Sequence, residues 1–122
     1  MATESGTILI AEDERPLARA LELKLKGAGF AVTVANDGQA AIDLLEKESY
    51  DLLLLDLIMP RVDGFGVLEW MSSHKKKVKV LVLSNLGQQE EIVRAKNLGA
   101  IDYFIKADTP LAEIVEKVRA LL

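Results

Sequence analysis

Five side chains able to do chemistry follow directly on short, largely apolar runs: Glu12 and Asp13 after Ile8 to Ala11, Asp56 after Leu52 to Leu55, Ser84 after Val80 to Leu83, and Lys106 after Ile101 to Ile105. If these runs are neighbouring strands, three carboxylates crowd one crevice, where like charges raise one another's pKa unless a cation neutralises them. A hard divalent cation is the natural answer. Oxygen-only donors, with no cysteine and a single histidine at His74, suit Mg2+, which takes one or two carboxylates and keeps several waters. Lys106 then supplies a fixed positive charge and Ser84 a hydroxyl donor, the pair that a transferring phosphoryl group needs on its equatorial oxygens. The nucleophile is left to a carboxylate, and Asp56 is the best placed because it ends the most hydrophobic, hence most central, run.

Each of these residues also has a bland reading. Glu12 and Asp13 complement the positive end of a following helix, Asp56 forms a strand-end turn, Ser84 caps a helix, and Lys106 is a solvated lysine. The chemical reading rests on all four strand ends agreeing. The elements that position them are legible in the apolar pattern. Uninterrupted apolar runs such as Leu52 to Leu55 suit strands of a parallel sheet buried on both faces, with the more mixed Phe30 to Ala35 and Ile101 to Ile105 as flanking strands. Each run is followed by helical spacing, clearest in Leu111, Ile114, Val115, Val118 and Leu122. Gly29 and Gly99 fall where a left-handed residue closes a helix, Asp63-Gly64 opens the third helix, and Thr109-Pro110 reads as an N-cap followed by a first-turn proline. The reading is an α/β chain of five β/α repeats, from a strand near 7–12 and a helix near 15–28 to a last helix near 110–122, folded as a doubly wound sheet. Ligands of such sheets bind beyond the carboxyl ends of the strands.

The chain has 122 residues, 50% of them apolar and 28% charged, which is the size and balance of one unit able to hold a core without staples. The lack of cysteine removes disulfides, thiolate zinc sites and cysteine nucleophiles together and points to a reducing compartment. With 15 basic against 19 acidic residues the net charge is -4, so no strong positive field draws nucleic acid or an anionic membrane. No apolar run exceeds four residues, far short of the roughly 20 that a spanning helix needs. Residues 1–6 carry no leader pattern and are expected to be a flexible N-terminal segment. A soluble, cytoplasmic protein follows. Neither G-x-G-x-x-G nor G-x-x-x-x-G-K-[ST] occurs, which disfavours a bound nucleotide. His74 with Lys75, Lys76, Lys77 and Lys79 reads as a solvated helix terminus, and Trp70 as packing.

Several stretches together carry a specific pattern: Ile8-Leu-Ile-Ala-Glu-Asp-Glu14, Asn36-Asp-Gly38, Tyr50-Asp-Leu-Leu-Leu-Leu-Asp-Leu-Ile-Met-Pro60 with Asp63-Gly64, Val82-Leu-Ser84, and Leu98-Gly-Ala-Ile-Asp-Tyr-Phe-Ile-Lys106. From about Thr7 to Leu122 the sequence resembles the receiver domain of bacterial two-component response regulators. The resemblance implies the flavodoxin-like strand order 2-1-3-4-5, with five helices on both faces of the sheet. It implies that Asp56 is the phosphoacceptor, and that Mg2+ is bound by Asp13, Asp56 and the Ile58 carbonyl, with Glu12 acting through a water. It implies that Ser84 and Lys106 contact the phosphoryl group, and that Tyr103 is the aromatic switch whose ring turns inward with Ser84. Such domains are phosphoacceptor signalling modules rather than enzymes on other substrates. They take the group from a sensor histidine kinase or a histidine phosphotransfer protein, hydrolyse it slowly, and signal through the surface of helix four, strand five and helix five. Exposed residues of helix five also suit a phosphorylation-dependent homodimer seam. The chain would then be a single receiver domain over 1–122 with no output domain, and this length fits both a stand-alone regulator and a piece of a longer protein.

Departures from the family pattern carry their own expectations. Ala107 stands where the family usually has proline in a cis bond. Without proline the cis form costs roughly 2.5–4 kcal/mol, so this bond is expected to be trans and helix five shifted. Asn85 occupies a position usually held by a small residue and is expected to narrow access for the phosphodonor. Ile58 and Leu86, at the family's rate-tuning positions, are apolar and are expected to shield the acyl phosphate from water. Two other functions compete. A metal-dependent phosphohydrolase of the haloacid-dehalogenase-like kind usually carries an aspartate two residues after its nucleophile, where this chain has Ile58. An unphosphorylated pseudo-receiver would require Asn85 and Ala107 to have disabled the site.

Overall fold

The computed structural model describes residues 6–122. The segment expected at residues 1–6 lies outside the described residues except for Gly6, whose carbonyl accepts the Ala31 N–H. Five strands, β1 (Thr7–Ala11), β2 (Ala31–Ala35), β3 (Leu52–Leu55), β4 (Lys79–Ser84) and β5 (Asp102–Ile105), alternate with five helices. These are α1 (Arg15–Gly27), α2 (Gly38–Lys47), α3 (Gly64–Ser73), α4 (Gln89–Asn97) and α5 (Leu111–Leu121). All strand pairs are parallel and the order is β2-β1-β3-β4-β5, the flavodoxin-like arrangement expected from the sequence.

The all-leucine strand β3 is central and buried along its whole length, as an apolar run without alternation requires. Its side chains divide by parity. Leu53 and Leu55 join Leu9, Val80 and Val82 under α2, α3 and α4, where Ile42, Leu45, Phe65, Leu68 and Ala95 complete one core. Leu52 and Leu54 join Ile8, Ile10, Leu81 and Leu83 under α1 and α5, against Leu21, Leu25, Ile114 and Val118. Both faces of the sheet are therefore covered, and all five strands present their carboxyl ends at one edge, where ligands of such sheets bind.

Local signals in the sequence terminate the elements as their chemistry dictates. Gly29 and Gly99 have φ of 100° and 118°. Each closes its helix with paired bonds, Gly29 N–H to Lys26 with Phe30 N–H to Leu25, and Gly99 N–H to Lys96 with Ala100 N–H to Ala95. Asp37 and Asp63 cap α2 and α3 by accepting the Ala40 and Gly66 N–H groups at 2.7 and 2.8 Å. The cap read at Thr109 is corrected. Residues Lys106–Asp108 form a 3-10 turn before α5. The Thr109 hydroxyl donates to the Ile105 carbonyl at 2.8 Å, so it is spent on closing that turn, and Pro110 supplies the first helical acceptor. Among the described residues no peptide bond is cis. Trp70 is half-buried against the α3 side of the core and stacks on His74 at 4.4 Å, so both residues serve packing.

Two measurements test this frame. A Cβ at position 38 would lie 1.8 Å from the Val62 carbonyl oxygen, whereas at position 27 nothing lies within 4 Å. Gly38→Ala should therefore destabilise the fold by about 1–3 kcal/mol or more, and Gly27→Ala should leave stability unchanged or raise it by about 0.5–1 kcal/mol, both read from urea unfolding. The second test concerns Asp102, which links β5 to α5. Burial pushes its carboxyl up, but the Tyr103 N–H at 2.8 Å and Lys117 at 3.2 Å outweigh that and hold it below the ordinary aspartate range. A depressed carboxyl stabilises above its unfolded pKa and loses that contribution as pH falls through its folded pKa. Asp102→Asn should cost less than about 1 kcal/mol at pH 7 for so exposed a pair, and its melting temperature should converge with that of the natural chain in acid.

Candidate functional site

Register brings the chemistry together. Ala11 pairs with Leu55, so Glu12 and Asp56 leave the sheet side by side, and Ser84 and Lys106 follow from the paired ends of β4 and β5. Their backbone is fixed beneath them: the Asp56 N–H donates to the Ala11 carbonyl, the Glu12 N–H to Ala35, and Asn36 Nδ2 to the Glu12 carbonyl, at 3.0, 3.0 and 3.1 Å. The opening of α3 is packed on the same loop. A Cβ on Gly64 would lie 2.4 Å from the Asp56 carbonyl oxygen, so only glycine lets the helix approach this closely.

Among the described residues the buried polar or charged ones are Glu12, Asp56 and Ser84, all of them at this edge. Lys106, with 8% of its side chain exposed, reaches across from β5 and donates to Glu12 Oε1 at 2.8 Å, Glu14 Oε2 at 2.7 Å and Asp56 Oδ2 at 3.1 Å. Burial alone would lower the pKa of such an ammonium, but its bonds to Glu12, Glu14 and Asp56 more than reverse this and hold it above the ordinary lysine range. Glu12 shows the opposite balance. Its burial pushes the carboxyl up to about 7 against the pull of Lys106 and the Glu14 N–H, and the Asp56 charge adds to the rise. One ammonium thus faces more negative charge than it neutralises.

Glu12, Asp13 and Asp56 each offer a carboxylate oxygen, and these oxygens lie within 4.8 Å of one another. Asp13 is exposed, and with Glu14, Asp56, Ile58, Asn85 and Lys106 it lines a cleft of about 140 Å³. An all-oxygen donor set with surplus negative charge, opening on a small water-accessible cleft, fits Mg2+. The Ile58 N–H donates to Asp56 Oδ1 at 3.3 Å, which orients the carboxylate in the cleft.

Not every residue expected at the site lines the cleft itself. Ser84 is wholly buried, and its Oγ accepts the Leu86 N–H at 3.3 Å, which leaves its own proton to donate. Tyr103 is half-buried with its ring turned inward, and its hydroxyl donates to the Leu86 carbonyl. Burial, with the Glu91 charge, raises its pKa, and the nearby Ser84 hydroxyl works against the rise. Ile58 is 55% exposed at the mouth of the cleft. The Leu86 side chain packs against the core and is not among the residues lining the cleft, so of the two apolar rate-tuning positions only Ile58 stands there. Asn85 lines the cleft with its Oδ1 accepting the Ala107 N–H at 3.0 Å. Glu14 is the member that sequence reasoning missed. Its one available signal was a third consecutive acidic residue after β1, and nothing local shows that it meets Lys106, 92 residues away.

The comparisons with known proteins agree with this geometry. Residues 8–119 match the response regulator receiver domain family. The transcriptional regulatory protein CusR of Escherichia coli strain K12 is 36% identical over 115 residues, 94% of this chain and 50% of CusR. The probable transcriptional regulator ycf27 of Cyanophora paradoxa is 33% identical over the whole chain and 50% of its own length. The chain spans about half the length of these curated relatives. Among solved structures, the Francisella response regulator 1452 receiver domain superposes with a TM-score of 0.90 at 28% identity, covering 96% of each chain. The response regulator TrrA of Thermotoga maritima, solved in complex with Mg2+-BeF, gives 0.83 at 28% identity over 95% of this chain and 98% of its own. No helix among the described residues is long and apolar enough to cross a membrane. With the family match covering residues 8–119 and the same fold in solved receiver domains, one assignment remains: the chain belongs to the response regulator receiver domains of two-component systems.

Proposed function

We propose that this domain takes a phosphoryl group onto Asp56 from the phosphohistidine of a sensor histidine kinase or a histidine phosphotransfer protein. The observation that carries the reading is the position of Asp56: nearly buried at the end of the central strand, yet lining a cleft beside a lysine and two further carboxylates. In the transfer, a carboxylate oxygen of Asp56 attacks phosphorus and the phosphorus–nitrogen bond breaks. The imidazole leaves with the electron pair and is protonated by solvent, and Asp56 becomes an acyl phosphate.

Glu12, Asp13 and Asp56, with the Ile58 carbonyl, would hold Mg2+. Bound there, the ion neutralises the acidic cluster and draws charge from the phosphoryl oxygens. Lys106 is already oriented by its contact with Asp56 and would donate to a phosphoryl oxygen, while the Ser84 hydroxyl would donate to another. Ile58 at the cleft mouth limits the approach of water and slows hydrolysis. Movement of Ser84 and Tyr103 alters the surface of α4, β5 and α5, where a partner or a second copy reads the state. The relatives are named as transcriptional regulators. This domain, with a net charge of -4, contributes the switch and no direct nucleic-acid contact. It acts in the cytoplasm.

The decisive experiment is intact-protein mass after incubation with a small-molecule phosphodonor, with and without Mg2+. A Mg2+-dependent gain of one phosphoryl group is expected in the natural chain and is lost in Asp56→Asn. Steady phosphate release from a small phosphomonoester, well beyond one equivalent, would overturn the reading in favour of a phosphohydrolase. The metal is tested separately by thermal unfolding. Mg2+ at a hundredfold excess over its dissociation constant should stabilise the natural chain by about 2.7 kcal/mol. Asp13→Asn should lose most of that gain while keeping the fold.

A further inference from the structure

Asn85, after β4, and Ala107, in the 3-10 turn after β5, are hydrogen-bonded to each other at 3.0 Å. The bond fixes more than distance. A backbone N–H can only donate, so the carboxamide must present Oδ1 to Ala107. Its Nδ2, which carries two protons and no acceptor capacity, is thereby turned away from the Ala107 backbone. Asn85 shares the cleft with Asp56 and Lys106. Four carboxylates crowd this end of the sheet, three of them on Lys106, so an added donor has no role in holding metal and a clear one in holding an anion.

We propose that Asn85 is a phosphoryl-binding residue: its Nδ2 donates to an oxygen of the group on Asp56, and the Ala107 N–H is the positioning group that keeps the amide in that orientation. The inference rests on the phosphoacceptor reading of Asp56 and adds to it a donor beyond Lys106 and Ser84. It also makes the identity of residue 107 consequential, because any residue with a backbone N–H can hold Asn85 and proline cannot.

The test is binding of beryllium fluoride, a non-transferable phosphoryl mimic, to the full chain with saturating Mg2+, followed by calorimetry. A hydrogen bond to a charged ligand implies that Asn85→Ala binds about tenfold more weakly than the natural chain. Asn85→Asp, which keeps the shape and the Ala107 contact but has no donor, should be at least as weak. Ala107→Pro should weaken binding by a similar factor and Ala107→Gly should not. The double variant Asn85→Ala with Ala107→Pro should be no weaker than Asn85→Ala alone, because both changes remove one interaction. Thermal unfolding without ligand checks that each variant folds. Natural-chain binding matched by Asn85→Ala would overturn this inference and leave the Asp56 reading standing. Strictly additive losses in the double variant would overturn the positioning role of Ala107. Absence of binding by the natural chain, with Mg2+ bound, would overturn both readings.

Discussion

The structure depends on how one buried ammonium is compensated. Lys106 crosses from the fifth strand to touch carboxylates that leave the first and third, and each contact requires those strand ends to be level. A buried charge deprived of its partners is costly by several kcal/mol, so the lysine constrains where the ends of the first, third and fifth strands can sit. The compensation is lopsided by construction. Three contacting carboxylates and a fourth nearby exceed what one lysine can neutralise, and burial, with a smaller push from the Asp56 charge, raises Glu12 to about 7 despite that lysine. On the reading proposed above, a cation would pair with the acids and a phosphoryl group would give Lys106 a new partner, so the cluster suits exchange of partners better than maximal stability.

The parallel sheet is what makes such a cluster affordable. Because every strand runs the same way, the residues after the strands meet at one edge without any loop having to fold inward, and the two leucine-rich cores lie entirely below them. The loops are then held from their far ends. Asp37 and Asp63 cap the helices that follow β2 and β3, and Gly64 lets α3 close on the Asp56 carbonyl. Asn36-Asp37-Gly38, part of the sequence pattern, thus has a structural role. Asn36 secures the Glu12 carbonyl, Asp37 caps α2, and Gly38 admits the Val62 carbonyl.

What was legible in the sequence follows the range of the interactions concerned. Unbroken apolar runs announce strands buried on both faces, and glycines after helical spacing announce left-handed closures, because both are settled within a few residues. The acidic pair, Asp56 and Ser84 were legible because each follows such a run, and Lys106 because it follows the more mixed Ile101 to Ile105. Glu14 was not, since its partner is 92 residues away and its own neighbours read as a helix start. Thr109 misled for a related reason. Its hydroxyl has two uses within reach, and the 3-10 turn, which no periodicity reveals, takes it. The direction of Leu86 depends on tertiary packing alone. Asn85 and Ala107 read separately as two obstacles to a familiar site, whereas in space each supplies what the other needs, an acceptor for a backbone N–H and an anchor for a side chain.

The same economy of contacts explains how a change at Asp56 can reach the surface. Leu86 is the shared joint: its N–H donates to Ser84 Oγ and its carbonyl accepts from the Tyr103 hydroxyl. Ser84 has no freedom to move alone, because it is wholly buried and this bond ties it to the loop. If it advances toward a group on Asp56, it either carries the Leu86 backbone with it or gives up that N–H. In the first case the acceptor that holds the Tyr103 ring inward moves with it. Tyr103 lies on β5, one residue from Asp102, whose carboxylate is paired to Lys117 of α5. A displacement of less than a side chain's length at a buried hydroxyl thus has a continuous hydrogen-bonded route to the α4, β5 and α5 face. Both bonds meet at Leu86, whose N–H and carbonyl flank a single Cα, so the loop residue after Asn85 is where the buried hydroxyl and the aromatic ring are joined.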